Sequence, residues 1–225
     1  MDNLYKLDNP AWYALTEKHQ QFAIGTSSIK KYQRLIAPWV GYHSTDENIL
    51  QEIDPFVEAG EGIYLFDQLP LLSSNYQLET ELVCQQMVCT DPIIVVINDK
   101  IEKEENAEEI GALINQVQPG YYNPGTCQMG EYFGIRDQGM LVALAGERMR
   151  LNALTEVSGV VTHPDYTGRG YAQQLVAHVT NKNLAAGNIA FLHVAATNER
   201  AIKLYERLGY INRRFITVRR IIKLY

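Results

Sequence analysis

From Leu154 to Gly187 the chain reads as a strand, a glycine-bearing turn and an amphipathic helix in immediate succession. Leu154 to Thr162 forms the strand, His163-Pro164-Asp165 ends it, and Gly168 and Gly170 flank Arg169 just ahead of Tyr171-Ala172. Beyond Gly170, the residues Ala172, Leu175, Val176 and Val179 recur at i, i+3, i+4 and i+7, so one helical face is apolar until Ala186-Gly187 stops it. A strand feeding such a helix restricts the chain to a sheet with helices packed on it. The turn aims free backbone N–H groups and the positive helix end at one spot, which suits a pyrophosphate. Gly168 and Gly170 leave room for an anion to approach the backbone, and Arg169 adds charge. A glycine turn before a helix is more often only a turn, so this segment does not decide the function by itself.

The flanking sequence extends the pattern. Thr90-Asp91-Pro92 punctuates the chain, and the β-branched run Ile93 to Ile97 reads as a buried strand. We place a division near residue 90, with an α/β extension of unassigned role over 1–90 and a second domain over 91–225. Lys100 to Glu109, with five glutamates, reads as a solvated helix start, and Ile110, Leu113, Ile114 and Val117 carry that helix to Pro119-Gly120. Tyr132 to Arg136 and Met140 to Glu147 form a hairpin around Asp137-Gln138-Gly139. Ile189 to Val194 is a strand; Asn198 caps a helix carrying Ala201, Ile202, Tyr205 and Leu208 on one face, and Gly209 ends it. Phe215 to Leu224 closes the chain as strand. Before residue 90, Leu78, Leu82, Val83 and Gln86 suggest a helix and Gly62 to Phe66 a strand. The expected fold class is α/β (α+β), a mixed and mostly antiparallel sheet flanked by helices.

Composition excludes several function classes. With 46% hydrophobic residues in 225, the chain can bury a core. A net charge of −6 and a pI near 5.4 give no broad positive field for nucleic acid. Cys84, Cys89 and Cys127 are odd in number and lack Cys-x-x-Cys spacing, so neither a disulfide framework nor a zinc cage is indicated, and a reducing cytoplasm is the expected compartment. The start Met1 to Lys6 holds no apolar run, and Ile93 to Ile97 is too short to span a bilayer, so no membrane association is expected.

A second motif follows at the spacing of one strand–helix unit: Asn198, then Ala201-Ile202-Lys203-Leu204-Tyr205-Glu206-Arg207-Leu208-Gly209-Tyr210. Together the two segments resemble the GNAT acyltransferase superfamily over roughly residues 91–225. Its phosphate motif, Gln/Arg-x-x-Gly-x-Gly/Ala, lies on Thr167-Gly168-Arg169-Gly170-Tyr171-Ala172, and its later Asn, Ala, Tyr, Leu-Gly-Phe/Tyr pattern lies on the second segment. Thr167 departs from the usual Gln or Arg and removes a side chain that supports the phosphates, whereas the backbone donors are unaffected. Gly134-Ile135-Arg136 through Gly146-Glu147-Arg148-Met149, Asn9-Pro10-Ala11-Trp12 and His19-Gln20-Gln21-Phe22-Ala23 are similar to a poorly characterised branch carrying an amino-terminal extension.

The resemblance implies direct transfer of an acetyl or short acyl group from acetyl-CoA to an amine within a ternary complex. By the same resemblance, the backbone around Val160, Val161 and Thr162 would pair with pantetheine and polarise the thioester carbonyl, Asn198 would hold the pantetheine, and Tyr205 would serve as general acid toward the sulfur. Tyr205 also lies on the apolar face of its helix, where plain packing is the competing role. Period-2 alternation places Glu156 on one strand face with Ser158 and Val160, which makes it a candidate base; a solvated strand carboxylate is the alternative.

His163 reads as a turn residue and His193 as packed, and the five histidines show no ligand spacing, so no metal is expected. Cys127 needs an adjacent base to be a nucleophile; otherwise it is a bystander thiol. Tyr121, Tyr122 and Tyr132 flank the loop where the resemblance puts part of the acceptor pocket. The expected partner is a small-molecule or peptide amine, and Arg213, Arg214, Arg219 and Arg220 on the last strand suggest a homodimer. A catalytically silent acyl-CoA-binding module is the second reading. A Rossmann-like nucleotide site is the third, and the hairpin and the missing early Gly-x-Gly-x-x-Gly argue against it.

Overall fold

The computed structural model describes residues 3–43 and 48–225, so Met1 and Asp2 of the polar start lie outside it. In chain order the elements are α1 (Pro10–Thr16), β1 (Ala23–Gly25), β2 (Ile29–Tyr32), β3 (Val40–Tyr42), α2 (Ile49–Ile53), β4 (Gly62–Phe66), β5 (Tyr76–Cys89), β6 (Ile101–Glu104), α3 (Ala107–Val117), β7 (Tyr132–Asp137), β8 (Met140–Leu151), β9 (Leu154–Thr162), α4 (Tyr171–Ala185), β10 (Ile189–Ala195), α5 (Glu199–Arg207) and β11 (Ile211–Lys223). Eight strands form one sheet in the order β4-β11-β5-β10-β9-β8-β7-β6, and β1-β2-β3 form a second, small sheet. Among the described residues every ladder between named strands is antiparallel except that of β10 with β9. The fold is the expected mixed, mostly antiparallel sheet flanked by helices.

The two sides of the large sheet bury different partners. Helices α4 and α5 supply Leu175, Val176, Val179, Ile202, Tyr205 and Leu208 to a core shared with Met87, Val157 and Leu192. On the other side Leu7, Ala11, Leu15, Tyr32 and Trp39 pack on Val88, Met149, Leu154, Phe191 and Ile216, while α3 packs on Leu144 and Val161. No described helix is long and apolar enough to cross a membrane.

Local chemistry accounts for the elements read correctly. Gln138 and Gly139 both take positive φ, at 49° and 86°, which makes the two-residue β7–β8 turn that matches strand twist. Asn106 caps α3 by accepting from the amides of Glu108 and Glu109, so two of the five glutamates sit in a first turn where the helix dipole favours them.

Three expectations are corrected. The helix expected around Leu78 to Gln86 is strand β5, which lies between β10 and β11; ladder bonds on both edges override the helix-forming preference of its Leu, Glu, Gln and Met residues. The strand expected at Ile93 to Ile97 pairs with no neighbour, and Ile94 and Val96 are 96% and 76% exposed. Side chains of α4 replace a ladder there: Asn181 bonds both backbone groups of Ile93, and Gln174 accepts from the amides of Asn98 and Asp99. The strand preceding α3 is instead β6, inside the acidic run, and its Glu104 is buried against Arg136 rather than solvated. The position near 90 falls at the end of β5, and the sheet continues across it through β10 and β11.

Candidate active site

The turn ahead of α4 leaves a run of backbone donors free. Gly168 and Gly170 sit at φ of +81° and +78°, the left-handed region where side chains are costly, and a Cβ on either would meet nothing within 4 Å. Gly170 occupies the N-cap position without a side-chain cap, and among the described residues the amides of 168–173 find no acceptor. Those donors lie at the positive end of a 15-residue helix. The helix is fixed in place by Glu147 of β8, a fully buried carboxylate that accepts from Lys182 Nζ at 2.7 Å and Asn183 Nδ2 at 2.9 Å. Arg169 is exposed and its guanidinium lies 4.5 Å over the Tyr166 ring; the Thr167 hydroxyl donates to the Pro164 carbonyl. Gly170→Ala is expected to cost about 1–2 kcal/mol from the backbone alone, lowering Tm by a few degrees in a chain of this size, and to weaken acyl-CoA binding because it adds a methyl at the turn; a melting curve and a titration check both.

Beside the turn, two strands part. β9 and β10 pair in parallel only at Ile189↔Leu154, Ala190↔Thr155 and Phe191↔Glu156. Beyond those positions β10 stays on β5 as far as Ala195, and β9 stays on β8 as far as Thr162, so a wedge opens between them and frees one backbone edge of β9. Gly159, at φ +63°, marks a bulge there: Val161 opposes Leu144 and Ser158 opposes Gly146, leaving two β9 residues against one on β8.

The bulge corrects the alternation assumed for Glu156. Val157 and Val160 face the core under α4 and α5, three residues apart, whereas Glu156 lies on the opposite side with Arg148, whose guanidinium covers Trp39 at 4.9 Å. Glu156 and Val160 therefore do not share a face. Glu156 is fully buried: Arg148 donates to Oε2 at 2.8 Å from Nε and to Oε1 at 2.6 Å from a terminal nitrogen, and the His193 ring adds a 2.7 Å contact to Oε1. Burial alone would raise its pKa, but the charge and hydrogen bonds of Arg148, with the hydrogen bond of His193, outweigh that and hold it at about 2. It is neither solvated nor available as a base.

Tyr205 is buried in the same large core cluster as Val157, a cluster that Val160, Tyr166 and Tyr171 also pack against. Burial, with no hydrogen bond or charge contributing, pushes its hydroxyl up to about 12, so it holds its proton throughout the neutral range. Asn198 is exposed and caps α5, its side-chain oxygen accepting from the Ala201 amide. Val161 is buried under α3, and Val160 and Thr162 are partly exposed along the wedge. Val160, Tyr171 and Tyr205 thus belong to one extended apolar cluster, and Tyr171 directly follows Gly170 of the turn.

The remaining candidates separate by burial. Tyr132 is buried beneath Gly146 and Gly159 and Tyr122 lies against Gly111, while Tyr121 is exposed. His163 accepts from the Asp165 amide as the cap of a short turn. Arg213, Arg214, Arg219 and Arg220 pair with Asp8, Asp67, Glu81 and Glu79 of their own chain. Among the described residues no three His, Cys, Asp or Glu side chains cluster as metal ligands.

Comparison with known proteins bears on the fold. Residues 132–219, from β7 into β11, match the FR47-like protein family. A GNAT-family protein from Novosphingobium aromaticivorans superposes with a TM-score of 0.88 at 29% identity, covering 96% of this chain and 98% of its own. A GCN5-related N-acetyltransferase from Kribbella flavida gives a TM-score of 0.65 at 15% identity over 95% of each chain. A GCN5-related N-acetyltransferase-like protein from Streptococcus suis gives 0.61 at 15% over 96% of each. No curated protein matches the sequence. Residues 132–219 thus form an FR47-like, GNAT-type domain, and the chain as a whole has the GNAT fold.

Proposed function

We propose that the protein transfers an acetyl or short acyl group from acetyl-CoA to an amine of a small-molecule or peptide acceptor, directly within a ternary complex. The reading is supported by three observations: unsatisfied amides over 168–173, an unladdered edge of β9 and a buried Tyr205 hydroxyl that keeps its proton. In this reading the amides hold the diphosphate, with Thr167 and Arg169 at the rim, and the freed edge over Val160 to Thr162 pairs with the pantetheine arm while Asn198 steadies it. An N–H of that edge stabilises the oxygen that gains charge as the neutral amine attacks. The carbon–sulfur bond then breaks, Tyr205 gives its proton to the departing thiolate, and the proton that the acylated nitrogen sheds returns to Tyr205 through solvent. Glu156, with both oxygens occupied, is assigned no proton transfer.

Acetyl-CoA at a hundred times its Kd is expected to stabilise the fold by about 2.7 kcal/mol, a rise in Tm of several degrees. Tyr205→Phe is expected to lower kcat roughly a hundredfold with little change in acetyl-CoA affinity. A melting curve unmoved by saturating CoA would remove the proposal. The sequestration of Glu156 favours one alternative, an acyl-CoA-binding module without transfer activity. Release of free thiol across a panel of amines separates the two, since turnover with any amine excludes pure binding.

A further inference from the structure

A continuous row of polar side chains crosses the sheet on the side away from α4. Arg148 of β8 bonds Glu156 of β9, Glu156 bonds His193 of β10, His193 bonds Gln86 of β5, and Gln86 bonds Arg213 of β11, five strands that are consecutive in the sheet. Arg213 is the extra residue of a bulge between Asn212 and Arg214, and it also pairs with Asp8 at 2.8 Å. The middle of the row is dry: Gln86 is fully buried, and the side chains of Glu156 and His193 are 1% and 4% exposed. The His193 ring is held between Phe66 and Phe191, at centroid distances of 5.0 and 5.8 Å.

The proton on His193 is fixed from outside. A guanidinium only donates and a peptide carbonyl only accepts. Arg213 therefore fixes the Gln86 side-chain oxygen, at 2.7 Å, and the Leu7 carbonyl fixes its nitrogen, also at 2.7 Å. The second N–H of that amide then donates to His193 Nε2 at 3.0 Å, so Nε2 is bare and Nδ1 carries the hydrogen that Glu156 accepts.

This bond stands where the backbone ladder ends. The last β9–β10 pair is Phe191↔Glu156, and His193, two residues further along β10, reaches back to the Glu156 carboxylate instead of leaving the strands untied. We propose that His193 is a positioning residue, a clasp across the apex of the wedge that sets how far β9 and β10 separate and so the width of the acyl-CoA cleft. The inference rests on the acyl-CoA reading for its consequence, though not for its geometry.

Two substitutions divide the ring's two bonds. His193→Asn places an amide nitrogen near Nδ1, keeping the bond to Glu156 and losing that to Gln86. His193→Gln places an amide oxygen near Nε2, keeping Gln86 and losing Glu156. Each loses one hydrogen bond and some ring packing, so general destabilisation is similar for both. The clasp predicts acetyl-CoA affinity within about threefold of wild type for His193→Asn and roughly tenfold weaker for His193→Gln, the size of one bond to a charged group. It also predicts faster amide hydrogen exchange over 157–162 without ligand in His193→Gln alone. Equal affinity and exchange in the two variants, or a worse Asn variant, overturns it. If the wild type does not bind acetyl-CoA, the proposed function fails and the exchange comparison still decides the clasp. Should His193→Gln not fold, 15N resonances of the wild-type ring decide: a bare Nε2 with a protonated Nδ1 is expected, and the opposite tautomer overturns the proposal.

Discussion

Produced without residues 1–90, the remaining chain is expected to aggregate rather than fold, although it holds the whole FR47-like match. The sheet order is the reason. β11 has only β4 and β5 as neighbours, both contributed by the amino-terminal segment, and β10 loses its antiparallel partner at the same time. Removing the segment also uncovers Met149, Leu151, Leu154, Phe191 and Ile216, which are buried against Leu7, Ala11, Leu15 and Trp39. Burying one such side chain stabilises a fold by about 1.5–3 kcal/mol, so five together contribute roughly 8–15 kcal/mol, comparable with the roughly 5–15 kcal/mol of net stability typical of a domain. The polar row loses Gln86 and Asp8 as well, which leaves His193 and Arg213 without their fixed partners. Far-ultraviolet circular dichroism and gel filtration of residues 91–225 test this; a monodisperse species that melts cooperatively would show that the segment is an accessory.

What the sequence made legible follows the reach of its physical signals. The α4 and α5 helices each bury one face and carry glycine or asparagine at their ends, so period and capping identified them with the strands between. The turn was legible for the same reason, since both its glycines are required by backbone φ. β5 was not, because its residues 77–83 are largely exposed and only Cys84 to Cys89 are mostly buried, so no alternation marks it as a strand, and Leu, Glu, Gln and Met lean toward helix. Glu156 was misplaced by one unrecognised bulge. A glycine inside a β-branched run is the signal that could have found it, and Gly159 was present in the sequence as that signal. The row from Arg148 to Arg213 left no local trace: its members lie at 86, 148, 156, 193 and 213, spacings that no single element generates and that only the strand order brings together.

Replacing Arg148 is expected to be the most damaging single change among the polar side chains. Arg148→Leu leaves the Glu156 carboxylate buried with only His193 and the Met149 amide, and breaking a buried pair from one side costs about 3–5 kcal/mol. For a chain of this length that is a fall in Tm of roughly 10 °C or more. The dependence on pH gives the effect its signature. In the wild type Glu156 has its pKa depressed from the ordinary 4.5 to about 2, so its contribution is complete above pH 4.5 and is lost as pH falls toward 2. By the shift this contribution is roughly 3 kcal/mol. Without Arg148 burial dominates, the carboxyl pKa rises above its ordinary value, and protonation becomes the route by which the folded state avoids an uncompensated charge. The variant therefore regains stability relative to wild type as pH falls from 7 toward 4. Arg148→Leu combined with Glu156→Leu should recover most of the loss, because removing both charges removes the desolvation cost as well. Urea denaturation of the three proteins across that pH range measures each term; a gap between wild type and Arg148→Leu that stays constant with pH would mean that the Glu156 charge is not what Arg148 stabilises.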